Sequence, residues 1–289
     1  MDLVIQARNL SADAAQAFAA ACLAARHVRR GTAARLYGVH DDAESRSIVA
    51  ALAAFWKCDA AFVDPRLRMA DFRVLVSDMD STLITIECID ELARLAGKGA
   101  EVAAITEAAM RGEIADFSES LRQRVALLAG ASVALIDRVS AERLRLSPGA
   151  AALLAGARAG GWKTLLVSGG FSAFADGIRD DLGMDASWAN VLVERDGRLT
   201  GEVLGPAAND GSIVDAAAKA RALRQICAES GCTPRQAIAV GDGANDLQMM
   251  AAAGLSIAYR AKPVVKERAT YALDHTGLDG ILKLFADGW

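Results

Sequence analysis

The chain has 289 residues, of which 32 are lysine or arginine and 36 are aspartate or glutamate, so its formal net charge is -4. It lacks the basic surplus that binding to a phosphate backbone needs, so nucleic acid is not an expected partner. Hydrophobic residues make up 53% of the chain and charged residues 24%, a balance that predicts a folded globular protein.

The sequence also predicts no membrane partner. The longest uncharged apolar stretches, such as residues 14–25, are well short of the roughly 20 residues that cross a bilayer. The amino terminus, MDLVIQARNL, has no basic segment followed by an apolar run, so we expect no secretory signal and a cytoplasmic location. The five cysteines lack CxxC spacing and the three histidines are scattered, which predicts reduced thiols and no zinc site.

Residues 1–65 predict a small α/β module in the order strand, helix, strand, helix, strand. The predicted strands are LVIQA, AARLYGV and AAFVD, and the predicted helices cover about 12–28 and 44–56. The segment PRLRMAD at 65–71 interrupts the periodicity with proline and charge, and is the predicted linker.

The rest of the chain, 72–289, predicts a doubly wound parallel α/β sheet. Three apolar runs, FRVLVS, WKTLLV and QAIAV, are typical of parallel strands buried on both faces, and LSIAY at 255–259 is a plausible fourth. Between the first two runs, about 85–146 is helical in pattern and too long for a simple crossover, so we expect an inserted helical cap. Residues 191–205 alternate about an Asp-Gly pair and predict a β-hairpin.

Polar side chains follow three of these runs. They are Asp78 and Asp80 after the first, Ser168 with two glycines after the second, and Asp242, Asn245 and Asp246 after the third. Singly, each motif has an ordinary explanation as a strand-end acid, a helix cap or a tight turn. Because the carboxyl ends of parallel strands share one edge of the sheet, the motifs together predict a site there. Its oxygen ligands suit Mg²⁺ and a substrate phosphate.

The chain contains neither a Walker motif nor a GxGxxG fingerprint. The motifs DMDST, Ser168, Lys219 and GDGANDLQM instead resemble the four motifs of the haloacid dehalogenase superfamily of aspartyl-phosphate phosphatases, over residue 72 to the carboxyl terminus. Within it, TIECIDELA and FSESLRQRV resemble the phosphoserine phosphatase family.

The resemblance implies roles for the strand-end acids. Asp78 is the expected nucleophile, and Asp80 the expected general acid and, later, general base. Mg²⁺ is expected on the Asp78 carboxylate, the Asp80 carbonyl and Asp242. Asp246 is expected to support this metal site without binding the ion itself.

The same resemblance implies a set of substrate-binding residues. Ser168, the Gly169 amide and Lys219 are expected to hold the phosphoryl group, and Asn245 to contact substrate or phosphate. Without the motif context, Lys219 would be a solvated lysine on an alanine-rich helix. In the cap, Glu87 is expected to bind an ammonium, Arg124 a carboxylate, and Phe117 to form an apolar wall. Their ordinary alternatives are a first-turn helix acid, a surface arginine and a core phenylalanine.

The implied activity is Mg²⁺-dependent hydrolysis of O-phospho-L-serine through an aspartyl-phosphate, the last step of serine biosynthesis. The alternatives are a related phosphatase or phosphotransferase acting on phosphohomoserine or a sugar phosphate, and a catalytically inactive amino-acid sensor. Related enzymes often carry an ACT-like βαββαβ module at the amino terminus, but the pattern in residues 1–65 lacks the extra hairpin. Serine sensing and a homodimer formed through this module therefore stay open.

Overall fold

The computed structural model describes residues 1–111, 113–114 and 116–289, and this part of the chain forms two β-sheets. The first is a four-stranded antiparallel sheet in the amino-terminal module, residues 1–65. The second is a seven-stranded sheet that carries the motifs at its strand ends.

The amino-terminal module has the order βαββαβ. Its strands are β1 (Asp2–Gln6), β2 (Arg26–Arg30), β3 (Ala33–Tyr37) and β4 (Asp59–Val63), and its helices are α1 (Ala12–Ala21) and α2 (Ala43–Trp56). The strands pair in the order β2-β3-β1-β4. Both helices begin at a side-chain cap, Ser11 for α1 and Asp42 for α2, each of which accepts a hydrogen bond from a first-turn amide.

The expected helix over 12–28 and the expected absence of a hairpin were wrong. The helix ends at Ala21, and the following segment forms β2, which pairs with β3. The tract CLAARHVRR is rich in good helix formers, so its local propensity favours helix. Pairing with β3 overrides that preference, because it satisfies the backbone groups of an edge strand whose side chains are mostly exposed.

The second sheet is parallel except at one edge. Its strands are β5 (Val74–Ser77), β6 (Lys163–Phe171), β7 (Ala186–Arg195), β8 (Arg198–Leu204), β9 (Ala237–Gly241), β10 (Leu255–Tyr259) and β11 (Tyr271–Leu273). They are arranged in the order β11-β10-β9-β5-β6-β7-β8. The four predicted runs are confirmed as β5, β6, β9 and β10; the three-residue β11 was not predicted. Because β5 lies between β6 and β9, the strand order reverses beside it, where open α/β sheets bind ligands.

Helices cover both faces of this sheet. The cap, defined here as residues 88–142, contains α3 (Cys88–Leu95), α4 (Gly99–Met110), α5 (Phe117–Ala126) and α6 (Ala134–Glu142). The other helices are α7 (Ala150–Ala159), α8 (Ser172–Leu182), α9 (Ala216–Glu229), α10 (Leu247–Ala252) and α11 (Pro263–Lys266). Among the described residues, no helix is long and apolar enough to cross a membrane.

Alternate residues of the central strand enter different cores. Leu75 packs into the larger core with the cap, whereas Val74 and Val76 pack into the core beneath α9. This burial on both faces explains why β5 is a continuous apolar run. The predicted hairpin is confirmed as β7 and β8, which turn at Asp196 and Gly197; both have positive φ, as a two-residue hairpin turn requires.

Candidate active site

The carboxyl ends of β5, β6 and β9 meet at one cavity of about 530 Å³ between the sheet and the cap. Nine of the predicted site residues line it: Asp78, Asp80, Glu87, Phe117, Arg124, Ser168, Gly169, Asp242 and Asn245. The other two, Lys219 and Asp246, are buried side chains that contact this group. The fold therefore assembles all the candidate residues in one place.

Lys219 joins two carboxylates at the floor of the site. Its Nζ lies 2.6 Å from Oδ1 of Asp78 and 2.7 Å from Oδ1 of Asp246. Only 1% of Lys219 is exposed, so the alternative of a solvated helix face was wrong. Burial alone lowers the pKa of Lys219, but Asp246 and Asp78 outweigh it and raise that pKa, so the side chain stays an ammonium.

A third carboxylate, Asp242, lies beside the two that contact this ammonium. Oxygens of Asp78, Asp242 and Asp246 all lie within 4.8 Å of one another. Burial and the neighbouring Asp246 raise the pKa of Asp78, while Lys219 opposes the rise. Burial, Asp246 and Glu87 raise the pKa of Asp242 to about 6. With one positive charge among three carboxylates, the cluster fits a divalent hard cation, which would balance the remaining charge.

Asp246 differs from the other two acids because both of its oxygens have hydrogen-bond donors. Oδ1 accepts from Lys219, and Oδ2 accepts from the backbone amides of Asp242 and Gly243. A Cβ at Gly241 would lie 2.4 Å from Cγ of Asp246, so the acid needs glycine at that position. These contacts fit a residue that orients Asp242 and Lys219.

Asp80 is held by the first turn of the cap. Its Oδ1 accepts a hydrogen bond from the Cys88 amide at 2.9 Å, and its Oδ2 lies 3.4 Å from the Ser168 hydroxyl. Burial and the nearby Glu87 carboxylate raise the pKa of Asp80 to about 7, against the opposing effects of the Cys88 thiol and amide. A carboxyl group that titrates near neutral pH can both give and take a proton.

Ser168, Gly169 and Gly170, the Ser168 loop, interrupt the pairing of β6 with β7. The register shifts between Val167 and Phe171, which takes the loop out of the ladder. The Ser168 Oγ accepts a hydrogen bond from the Gly170 amide at 2.8 Å. The carbonyl of Gly169 accepts one from Nδ2 of Asn190 at 2.9 Å.

Glu87, directly before α3, and two cap residues, Arg124 and Phe117, reach the cavity, which the cap acids Asp90 and Asp116 also line. Glu87 accepts a 2.6 Å hydrogen bond from the hydroxyl of Ser81, whose φ of 54° is left-handed. Arg124 is half-buried; burial lowers its pKa, while Asp90, Glu87 and Asp80 oppose the shift. Phe117 lies against Gly169, so the ring belongs to the contact between cap and sheet.

Sequence reasoning missed three polar residues that hold the predicted site residues in place. It also missed five polar residues of the cavity lining: Asp90, Thr106, Asp116, Ser120 and Lys262. Ser81 holds Glu87, Thr82 donates to Oδ1 of Asp242 at 3.1 Å, and Asn190 holds the Ser168 loop. Ser81 and Thr82 stand within the DMDST motif, so their position was a usable signal. Asn190 is a fully buried amide within an apolar strand, and a lone polar residue in such a run needs a partner.

The haloacid dehalogenase-like hydrolase family matches residues 75–251 of this chain. This range includes the strand-end acids, the cap and Lys219. The chain belongs to that family.

Several of its relatives within the family are phosphoserine phosphatases. The phosphoserine phosphatase of Polaromonas sp. is 57% identical over 220 residues, which cover 76% of this chain and 92% of the relative. A solved structure of a probable phosphoserine phosphatase from Vibrio cholerae, unliganded, superposes with a TM-score of 0.82 at 35% identity, covering 99% of this chain and 86% of that one. A substrate-bound phosphoserine phosphatase complex superposes with a TM-score of 0.67 at 37% identity, covering 74% and 98%.

Proposed function

We propose that this chain hydrolyses O-phospho-L-serine to L-serine and phosphate, with Mg²⁺ and through an aspartyl-phosphate, as the last step of serine biosynthesis. One observation carries the proposal: a single cavity places Asp78 and the Ser168 loop at its sheet side and Glu87 with Arg124 at its cap side. The substrate has a phosphate, an ammonium and a carboxylate, and each finds a group of suitable charge. The phosphoserine phosphatases among its relatives support the same substrate.

In the first step, an oxygen of Asp78 attacks phosphorus, and the bond from phosphorus to the seryl oxygen breaks. Asp80 gives its proton to the departing oxygen, so serine leaves as the neutral alcohol. The pKa of about 7 for Asp80 supports this role, because an ordinary aspartate would already be ionised at neutral pH.

In the second step, water attacks the phosphorus of the aspartyl-phosphate. Asp80, now a carboxylate, takes a proton from that water, and the bond to Asp78 breaks to release phosphate. The enzyme returns to its starting protonation state. Lys219 lies 2.6 Å from Asp78 and stabilises negative charge on the nucleophile and on the phosphoryl oxygens.

The Asp78 carboxylate, the Asp80 carbonyl and Asp242 would hold the Mg²⁺, with Asp246 fixing their surroundings. The ion would offset the charge that builds on the phosphoryl oxygens. The three-carboxylate cluster supports this assignment, because Lys219 alone leaves it with excess negative charge.

Phosphohomoserine and a sugar phosphate are the competing substrates. Phosphohomoserine is one methylene longer but keeps both charged groups, whereas a sugar phosphate offers no charged partner to Glu87 or Arg124. An inactive sensor is disfavoured because Asp78, Asp80, Asp242 and Lys219 are all present.

A cytoplasmic location is part of the proposal, in accord with five free cysteine thiols in the described chain. Pairing of two copies through the amino-terminal module is proposed too, and light scattering tests it.

The test is phosphate release from O-phospho-L-serine by purified protein, with Mg²⁺ and with excess chelator. We expect release that stops with chelator and that Asp78→Asn abolishes. Arg124→Ala should raise KM for phosphoserine about tenfold or more, through loss of a charged hydrogen-bond partner. Arg122→Ala, an exposed arginine on the same helix, is the matched control. Absence of release with Mg²⁺, or full activity in Asp78→Asn, contradicts the proposal.

A further inference from the structure

We propose that Asn190 is a positioning residue that sets the phosphate-binding geometry of the Ser168 loop and aligns it with the helix that carries Lys219. The inference rests on the proposed function, because it assigns the loop to the phosphoryl group. Asn190 lies in β7, outside the cavity lining, and is fully buried.

Both polar atoms of the Asn190 amide contact backbone at the site. Its Nδ2 donates to the Gly169 carbonyl at 2.9 Å, and its Oδ1 accepts from the Val214 amide at 2.9 Å. The amide offers a donor and an acceptor in one plane, and these two partners fix which atom is which. The side chain therefore joins the Ser168 loop to the segment that leads into α9.

The first contact controls Ser168 through a planar peptide. In a trans peptide the carbonyl and the amide point in opposite directions, so holding the Gly169 carbonyl also aims the Gly170 amide. That amide donates to Oγ of Ser168 at 2.8 Å. Since Oγ already accepts this bond, its hydrogen is directed elsewhere, towards Asp80 at 3.4 Å or a phosphoryl oxygen. Asn190 thus orients the hydroxyl without touching substrate.

The second contact reaches Lys219. Val214 immediately precedes Asp215, which caps α9 by accepting from the Ala218 amide at 2.7 Å. Lys219 stands in the first turns of that helix and donates to Asp78. A shift at Val214 would displace the start of α9 relative to the Ser168 loop. Misplacement of about 1 Å in a catalytic group can cost roughly 100-fold in rate.

The test compares Asn190→Ala and Asn190→Asp with Asn209→Ala. Asn209 is also buried, donates to the Ser212 and Ile213 carbonyls and accepts a bond from Arg221 of α9, so its loss removes similar bonds from the same segment and helix without reaching Gly169. As a carboxylate, Asn190→Asp keeps the shape and the acceptor towards Val214 but has no donor for Gly169, so it separates the first contact from the second.

We expect folded Asn190 variants to lose about 10- to 100-fold in kcat. The inhibition constant of inorganic phosphate should rise about tenfold, while that of L-serine stays unchanged, since the seryl end of the cavity is intact. Asn209→Ala should leave kcat and the inhibition constants of phosphate and L-serine unchanged. A purely structural role would lower the melting temperatures of both sets and leave phosphate affinity alone, and that outcome overturns the inference.

Failure of the proposed function gives a different result. Without turnover of O-phospho-L-serine by the unmutated chain, the substrate assignment is wrong. Calorimetric binding of inorganic phosphate to the unmutated chain and to Asn190→Asp then still tests the loop. Equal phosphate affinity in the two proteins contradicts the role of Asn190.

Discussion

The ring of Phe117 occupies the space where a side chain at Gly169 would begin. A Cβ at residue 169 would lie 2.7 Å from Cζ of Phe117, closer than real contacts allow. Phe117 begins the cap helix α5, whereas Gly169 belongs to the Ser168 loop in β6. The cap therefore closes directly on the loop that we assign to the phosphoryl group, and glycine at 169 makes that approach possible.

Gly169→Ala should impair closure of the cap. Apart from Phe117, the nearest other group to the added methyl is the Val214 carbonyl at an ordinary 3.4 Å, so the ring is the main obstacle. We expect kcat/KM for O-phospho-L-serine to fall about tenfold or more, because small displacements of positioning groups are costly. In the Phe117→Leu background, Gly169→Ala should lower kcat/KM by a smaller factor than it does in the unmutated chain, because the smaller side chain leaves room for the methyl group.

The control is Gly177→Ala, since a Cβ at this helical position meets nothing within 4 Å. It should leave kcat/KM unchanged and, in helix α8, not lower stability. If the double variant loses as much as the product of the two single losses, the ring is not the obstacle.

Lys219 is the only cation in direct contact with Asp78 among the described residues. Lys219→Met keeps the length of the side chain but leaves Asp78 and Asp246 buried without their ammonium. Breaking a buried pair by removing one partner costs about 3–5 kcal/mol. We expect a loss of this size in urea unfolding without metal, and loss of nearly all phosphatase activity. Addition of Mg²⁺ should recover stability more than activity.

Lys98→Met is the matched control for that experiment, because Lys98 pairs with Glu101 on the cap surface. An exposed pair contributes little, so its unfolding curve and activity should match those of the unmutated chain. A Lys219→Met protein as stable as this control would contradict the assigned charge balance.

The pKa of about 7 for Asp80 predicts an alkaline limit to the first chemical step. The acid form gives the proton, and it is lost as pH rises through this value, so the single-turnover rate of aspartyl-phosphate formation should fall above pH 7. Glu87→Gln removes the carboxylate that helps to raise this pKa, which moves the limit to lower pH. Rapid-quench measurements at saturating substrate across pH 5.5–8.5 give the profile.

Glu91→Gln serves as the comparison, because Glu91 pairs with Arg94 and has no part in the pKa of Asp80. Its profile should overlay that of the unmutated chain. A limit that stays at the same pH in Glu87→Gln would show that Glu87 does not set the proton affinity of Asp80.

The sequence alone was enough to predict the strands of the second sheet other than β11, and the acids after them. Strands such as β5 are buried on both faces, so their apolar runs are continuous and local, and Asp78 follows directly. Strand β2 was missed because its residues favour helix and only pairing with β3 makes it a strand. Asn190 was missed because its partners, Gly169 and Val214, are 21 and 24 residues away.

The role of Asp59 could not be predicted from the sequence either, because its partners are distant in the chain. In the structure it connects two parts of the fold. It begins β4 of the amino-terminal module and accepts bonds from the amides of Asp274, His275 and Thr276. The Thr276 hydroxyl also donates to it, at 2.6 Å. One buried carboxylate thus holds the segment that follows β11 against the module.

Asp59→Ala should leave these buried donors without an acceptor. Each such loss costs about 1–3 kcal/mol, and water can replace only part of it, so we expect about 3 kcal/mol less stability in urea unfolding. Asp64→Ala is the control, because the Asp64 side chain is partly exposed and pairs with the neighbouring Arg66. The kcat of Asp59→Ala should stay close to that of the unmutated chain, since the cavity lining does not include this segment. Equal unfolding midpoints for the two variants would mean that the module and the segment after β11 are held together by apolar packing instead.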